Sequence, residues 1–180
     1  AVVRLKGGDP LVFVRGGDEV SVWAGNGIPC EVVPGVSSTI GALAYAGIPV
    51  TDRRYSASFA VVTGHKDPTR SAEMTRWQAL GSAVDTLVIL MGMKKLPQLI
   101  ERIIEGGRSP ETPSAAVMNG TLATQRVVEA PLAELAPAVA EAGLEAPAVI
   151  VTVDVVKLQS QLSGRERTPM FGKRALVTRR

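Results

Sequence analysis

The sequence predicts an α/β chain in two lobes, with mixed sheets. Three observations carry that prediction. Short β-rich apolar runs alternate with segments of helical spacing, which is the pattern of helices layered on a sheet. Two of the β-rich runs flank the turn pair Asn119-Gly120, so part of the sheet is expected to be antiparallel. Hydrophobic residues make up 46% of the 180 and aromatics only 4%, so a buried core must be built mainly from Val, Leu, Ile and Ala.

Taken in order, residues 1–6 read as a strand that leads into the loop Gly7-Gly8-Asp9-Pro10. A domain rarely opens inside an element, so the chain is expected to be truncated at its N-terminus. Residues 16–25 have weak helical character. Residues 31–34 read as a short strand stopped by Pro34-Gly35. Ser37 is placed to cap a helix running through Ala46, which Gly47-Ile48-Pro49 ends. The polar stretch 51–56 reads as a linker between lobes. A β-rich run follows at 58–63, and the charged segment to about Ala79 is expected to contain a helix.

Residues 86–91 form a strongly apolar strand candidate. Leu96, Leu99, Ile100, Ile103 and Ile104 then share one helical face, with Gly106-Gly107 as a stop. Residues 115–118 and 125–129 read as strands around Asn119-Gly120-Thr121, 132–142 as a helix, and 148–153 as a last apolar strand. The predicted division is 1–52, 53–158, a linker at 159–170, and a separate tail at 171–180.

The net charge of +3 is unevenly spread. From Lys157 onward there are seven basic residues and one acid, which leaves 13 basic against 16 acidic residues before it. No basic stripe with interleaved aromatics is present, so nucleic acid is not an expected partner. A single cysteine, Cys30, cannot form an internal disulfide and suits a reducing cytoplasm. One cysteine and one histidine make a structural zinc site improbable, and no metal is expected. No run of ~18 apolar residues indicates a membrane span.

Gly7-Gly8-Asp9-Pro10 follows directly on the first β-rich run. Two glycines allow a ligand to approach the backbone, and the aspartate can accept hydrogen bonds from hydroxyl or ammonium groups. The same four residues are also ordinary turn chemistry. They match neither the phosphate-cradling loop ending in Gly-Lys-Ser/Thr nor the spaced glycines of a dinucleotide site.

The blocks Val3-Arg4-Leu5-Lys6-Gly7-Gly8-Asp9-Pro10-Leu11-Val12-Phe13 and Arg15-Gly16-Gly17-Asp18-Glu19 come first. Gly27-Ile28-Pro29, Val32-Val33-Pro34-Gly35-Val36-Ser37-Ser38, Ala44-Tyr45-Ala46-Gly47-Ile48-Pro49-Val50-Thr51 and Val61-Val62-Thr63-Gly64-His65 follow in order. Leu90-Met91-Gly92, Asn119-Gly120-Thr121 and Pro147-Ala148 complete the set. Together they resemble the tetrapyrrole methyltransferase family, and uroporphyrinogen-III methyltransferases in particular, over about residues 2–158. The resemblance implies the two-lobed tetrapyrrole methyltransferase fold and C-methylation of uroporphyrinogen III to precorrin-2 for sirohaem and cobalamin synthesis. The implied methyl donor is S-adenosylmethionine, and the implied assembly is a homodimer. A methyltransferase for a later precorrin or cobalt-precorrin is the nearest alternative, and a non-catalytic dimerisation module a more distant one.

Carried onto this sequence, the resemblance implies that Gly7, Gly8 and Asp9 meet the amino acid end or ribose of the donor, with Val12 beside them. Ser37 and Ser38 would face its carboxylate near a helix N-terminus. Met91, Gly120 and Ala148 would line the adenosine pocket. Each has a plainer role open to it: Ser37 a helix cap, Met91 core, Gly120 a turn residue. The eight carboxylates of the implied substrate call for arginines, and Arg15, Arg53 and Arg54 lie in or beside the blocks, as does His65. The family's acid–base residues would lie upstream of Ala1, so a fragment without them is expected to be inactive. Two positions depart from the family, which usually has Gly where Val14 and often where Val153 stand. Positive φ at Val14 would strain it. Residues 171–179 resemble the first strand of a uroporphyrinogen-III synthase; a disordered basic tail is the plainer reading.

Overall fold

The computed structural model describes residues 2–64, 75–164 and 168–173. Five strands, β1 (Phe59–Thr63), β2 (Thr86–Leu90), β3 (Pro113–Met118), β4 (Arg126–Pro131) and β5 (Ala148–Thr152), form one mixed sheet in the order β1-β2-β5-β3-β4. β1 and β2 are parallel. β5 runs antiparallel to both β2 and β3, and β3–β4 is the hairpin predicted around Asn119-Gly120. β2 and β5 are β-branched or Leu-rich and almost wholly buried, as strands covered on both faces must be.

Helices cover the two faces. On one, α3 (Trp77–Ala83), α4 (Leu96–Glu105) and α5 (Leu135–Glu141) close a core of Trp77, Leu87, Ile89, Leu99, Ile103, Leu135 and Ile150. The face predicted for 96–104 is the buried one: Leu96, Leu99, Ile100 and Ile103 all turn inward. Gly106 caps α4 and Gly107 follows at φ +98. On the other face, α2 (Ser38–Tyr45) sets Ala42 and Leu43 against Val88, Val117, Val149 and Val151. The small residues Gly41 and Ala42 lie on α2, and Ala42 is buried against the strands. The two remaining helices, α1 (Gly16–Gly25) and α6 (Gln159–Leu162), are peripheral.

Two predicted strands are not strands. Residues 2–6 and 31–34 are irregular, and Val2, Val3, Leu5 and Val33 are 74–100% exposed. A strand requires a neighbour to complete its ladder, and no described segment pairs with either. Residues 51–56, read as a linker, form a tight turn closed by an Asp52–Ser56 bridge. The predicted linker opens with the short helix α6. Residues 168–172 are turns and bends, and His65 and most of the predicted tail strand lie outside the described residues.

The turn is pinned to the sheet by Asp85. Its carboxylate accepts hydrogen bonds from the backbone N–H of Ala57 and Ser58 and from the Ser58 hydroxyl, at 2.9–3.0 Å. Those donors, the Ser58 hydroxyl first, hold its pKa below the ordinary 3.8. Ser56 Oγ and Thr86 Oγ1, 2.7 Å apart, add a buried bond beside it. Among the described residues no helix is long and apolar enough to cross a membrane.

Candidate functional site

The strand directions decide where the site lies. β1 and β2 end together, Thr63 beside Leu90. Because β5 is antiparallel, its start pairs with those ends (Leu90↔Val149) and with the end of β3 (Met118↔Ala148). Gly64, Met91-Gly92, Asn119-Gly120 and Ala148 therefore meet at one end of the sheet. Three residues predicted from separate blocks, Met91, Gly120 and Ala148, are brought together by topology alone.

A second cluster forms at the start of α2. Asp9 Oδ1 accepts the Leu11 N–H at 2.9 Å, and its Oδ2 accepts the Gly35 N–H at 3.1 Å. The carboxylate thus joins loop 7–10 to loop 34–38, and the Leu11 and then the Gly35 N–H lower its pKa below 3.8. The join is close: a Cβ on Gly35 would lie 2.1 Å from the Gly8 carbonyl oxygen, so only glycine fits. Ser37 is the N-cap of α2, its Oγ accepting from the Thr39 N–H and hydroxyl. Ser38 is exposed beside it. Gly7 and Gly8 are exposed, and Val12 is 39% exposed.

Helix α2 connects the clusters. A Cβ on Gly120 would sit 2.3 Å from the Ala42 Cβ, so the turn after β3 rests on the middle of α2. A Cβ on Gly41 would face Val36 at 3.3 Å on one side and Thr121 at 4.0 Å on the other. The two clusters therefore adjoin across one helical turn.

Backbone strain concentrates in the same loops. Among the described residues, four non-glycines have positive φ: Phe13, Met91, Asn119 and Thr121. Asn accepts this conformation readily; Phe, Met and Thr do so at a cost of order 1–3 kcal/mol. Val14 is not among them, so the strain expected there falls one residue earlier, on Phe13. Val153, at φ 179, is in ordinary extended backbone, is 1% exposed and packs in the core.

The arginines separate. Arg15 caps α1 and pairs with Asp18 at 3.0 Å. It adjoins the loop 7–10, because a Cβ on its neighbour Gly16 would collide with the Pro10 carbonyl. Arg53 and Arg54 lie in the turn before β1, at the opposite end of the sheet. One five-residue strand, about 13 Å, separates them from Met91. Arg54 is committed to Asp52 and lies over the Tyr55 ring at 5.1 Å. No cluster of three or more His, Cys, Asp or Glu able to hold a metal ion occurs among the described residues.

Sequence reasoning missed Gln125. It is 5% exposed at the end of an otherwise exposed turn, and it bonds to both the turn and α2. Its signal was a lone amide six residues after Asn119, which the β pattern had absorbed as the first residue of a strand.

The profile of the family Tetrapyrrole (Corrin/Porphyrin) Methylases matches residues 1–136. The chain belongs to this family. Among curated tetrapyrrole methylases it is 46% identical over 167 residues to an S-adenosyl-L-methionine-dependent uroporphyrinogen III methyltransferase from Methanosarcina barkeri (strain Fusaro / DSM 804). That match covers 93% of this chain and 65% of the relative. It is 45% identical over 162 residues to a siroheme synthase of Thiobacillus denitrificans (strain ATCC 25259 / T1), covering 89% of this chain and 33% of that one. The chain thus spans less than two thirds of the length of these relatives. A crystal structure of uroporphyrin-III-C-methyltransferase from Thermus thermophilus superposes with TM-score 0.73 at 42% identity, covering 88% of this chain and 66% of the other. A crystal structure of uroporphyrin-III C-methyl transferase from Thermus thermophilus complexed with S-adenyl homocysteine gives 0.71 at 37%, covering 87% of this chain and 67% of the other. A cobalt precorrin-4 methyltransferase shares the fold, with TM-score 0.74 at 21% identity over 83% of this chain and 62% of the other. The mixed α/β architecture is that of the tetrapyrrole methylases.

Proposed function

We propose that the protein transfers methyl groups from S-adenosylmethionine to two pyrrole carbons of uroporphyrinogen III, giving precorrin-2 for sirohaem and cobalamin synthesis, and that it acts as a cytoplasmic homodimer. The observation that carries the reading is the meeting of two loop clusters around α2, with every strained non-glycine among the described residues in those loops. Strain held in place by surrounding structure marks functional loops. The choice of substrate rests on identities of 45–46% to relatives named for uroporphyrinogen III or sirohaem, against 21% for the cobalt precorrin-4 enzyme.

The residues fit the donor in two halves. Ser37 Oγ is already engaged in capping, so the first-turn N–H groups of α2 and the Ser38 hydroxyl would meet the donor's carboxylate. The loop Gly7-Gly8-Asp9 with Val12 would meet its amino acid end or ribose. Asp9 serves first by holding that loop on Gly35. Met91, Gly120 and Ala148 would enclose the adenosine. The donor's sulfonium supplies an electrophilic methyl group, so the chain's task is to align it and exclude water. Of the arginines, Arg15 is placed beside the donor loop to pair with substrate carboxylates. Residues 171–179 support a synthase domain beginning there, which would join two consecutive steps.

The test is methyl transfer from labelled S-adenosylmethionine to uroporphyrinogen III, set beside a later cobalt-precorrin as acceptor, with calorimetry of S-adenosylhomocysteine binding. Label in precorrin-2 and calorimetric binding are expected. Absence of binding, or a preference for the cobalt-precorrin, would overturn the reading.

A further inference from the structure

We propose that Gln125 is a positioning residue that sets the distance between the two halves of the donor site. This rests on the donor site assigned above. The turn that follows β3 is tied to the sheet at its start, where Asn119 N donates to Pro147 O, but no backbone bond ties it to α2 among those described. Residues 121–124 are exposed, and the bonds from Leu122 N to Asn119 O and from Gln125 N to Leu122 O close the turn on itself. Gly120 touches Ala42 of α2, but contact between small groups does not fix a sliding register.

Gln125 supplies the direction that contact lacks. Its Oε1 accepts the N–H of Thr121 at 2.8 Å, holding that residue at φ +75. Its Nε2 donates to the carbonyl of Tyr45 at 3.2 Å, across 80 residues of sequence. Tyr45 is the last residue of α2, where helix carbonyls lack intrahelical donors. An amide donates from its nitrogen and accepts at a separate oxygen, so one side chain can bridge a carbonyl and an N–H, and glutamine has one methylene more reach than asparagine. Gln125 is buried and its two bonds are part-buried, so water replaces them less well than at an open surface.

The consequence follows from α2 itself. Its C-terminus is latched to the adenosine turn through Gln125, and its N-terminus presents Ser37 and Ser38. Eight residues of helix, about 12 Å, hold the latch rigidly relative to Ser37 and Ser38, with Gly120 seated between them on Ala42. A ligand with adenosine at one end and a carboxylate at the other is bound tightly only when that spacing is right. Removing the latch leaves each half able to take its own part of the ligand, but no longer in register.

The experiment compares wild type with Gln125→Met, which keeps the length and loses the bonds to Thr121 and Tyr45, and Gln125→Glu, which keeps an acceptor for Thr121 and loses the donor to Tyr45. Affinities for S-adenosylhomocysteine and for adenosine alone are measured by calorimetry and NMR titration. In both variants S-adenosylhomocysteine should bind on the order of ten-fold more weakly, while adenosine stays within about two-fold of wild type. Amide exchange at Thr121 should quicken in Gln125→Met and less so in Gln125→Glu. Equal losses for both ligands would show local damage and overturn the proposal, as would unchanged affinity for S-adenosylhomocysteine. If neither variant folds, the role is structural and the proposal fails. Wild-type protein that binds no S-adenosylhomocysteine sinks the donor site as well, which distinguishes the two failures.

Discussion

Gly120→Ala tests the contact on which the site geometry depends. The added methyl carbon would lie 2.3 Å from the Ala42 Cβ and 2.8 Å from its Cα. An ordinary carbon contact is about 3.5 Å, so the turn and α2 must part by about 1.2 Å. Both clashing atoms belong to the backbone or sit directly on it, so no side-chain rotation relieves them. Gly120 is outside the left-handed region, which excludes backbone strain as a second cause. Overpacking of this kind costs about 1–3 kcal/mol. Urea denaturation should show that loss, and S-adenosylhomocysteine affinity should fall with it because the two clusters are pushed apart. Ala42→Gly removes the nearer clash and leaves the 2.8 Å contact with the Cα. The double variant Ala42→Gly/Gly120→Ala should therefore be more stable than the sum of the single effects, by about 1 kcal/mol or more. Strict additivity, or a Gly120→Ala protein as stable as wild type, would refute the contact.

Asp85→Asn probes the acid side. A depressed folded-state pKa stabilises the fold above the ordinary value of 3.8, and that contribution is lost as pH falls through the lowered value. The variant should have a lower urea midpoint at neutral pH and a flatter stability profile below about pH 4; an unchanged profile would remove Asp85 from the accounting. Asp9→Ala should weaken S-adenosylhomocysteine binding by releasing loop 7–10 from Gly35, and Asp9→Asn, with one acceptor oxygen left, should weaken it less. Equal affinities for all three proteins would show that the loop holds without the carboxylate. Ile103→Ala empties part of the core on the face away from α2 and should cost about 2–5 kcal/mol in denaturation while leaving donor affinity unchanged. A parallel loss of affinity would show that the two faces are coupled.

Helix α4 and the β3–β4 hairpin were legible because each is specified locally. Leu96, Leu99, Ile100 and Ile103 repeat at the helical period and meet Gly106-Gly107, and Asn119-Gly120 turns between two apolar runs. Residues 2–6 and 31–34 have the same β-rich composition, but composition does not supply a partner, and without one no ladder forms. For the candidate site the sequence offers only a list of blocks from Gly7 to Ala148. The arrangement of the site was not legible. That Met91 and Ala148 meet depends on β5 inserting between β2 and β3, a pairing between residues far apart in the chain. The same distance hid the real use of Asp9 and Gln125. Each side chain spans loops 26 or 80 residues apart, and no local pattern announces such a bond.

The order of the sheet has a consequence for how the chain is made. β5, the third strand in space, is the last in sequence among the described residues, and both β2 and β3 wait for it. During synthesis the β1–β2 pair and the β3–β4 hairpin emerge as separate pieces, each with an apolar, unpaired edge. From Leu90 to Thr152 the ribosome needs several seconds at about 5–20 residues per second. Throughout that interval the β2 edge is open to pairing with another nascent chain, and the β3 edge joins it once the hairpin is made at Pro131. Nascent chains arrested before Ala148 clears the exit tunnel should be digested readily by protease and captured by chaperones, and protection should rise abruptly once Thr152 is out. A gradual rise from β2 onward would mean that the halves are stable before the closing strand arrives.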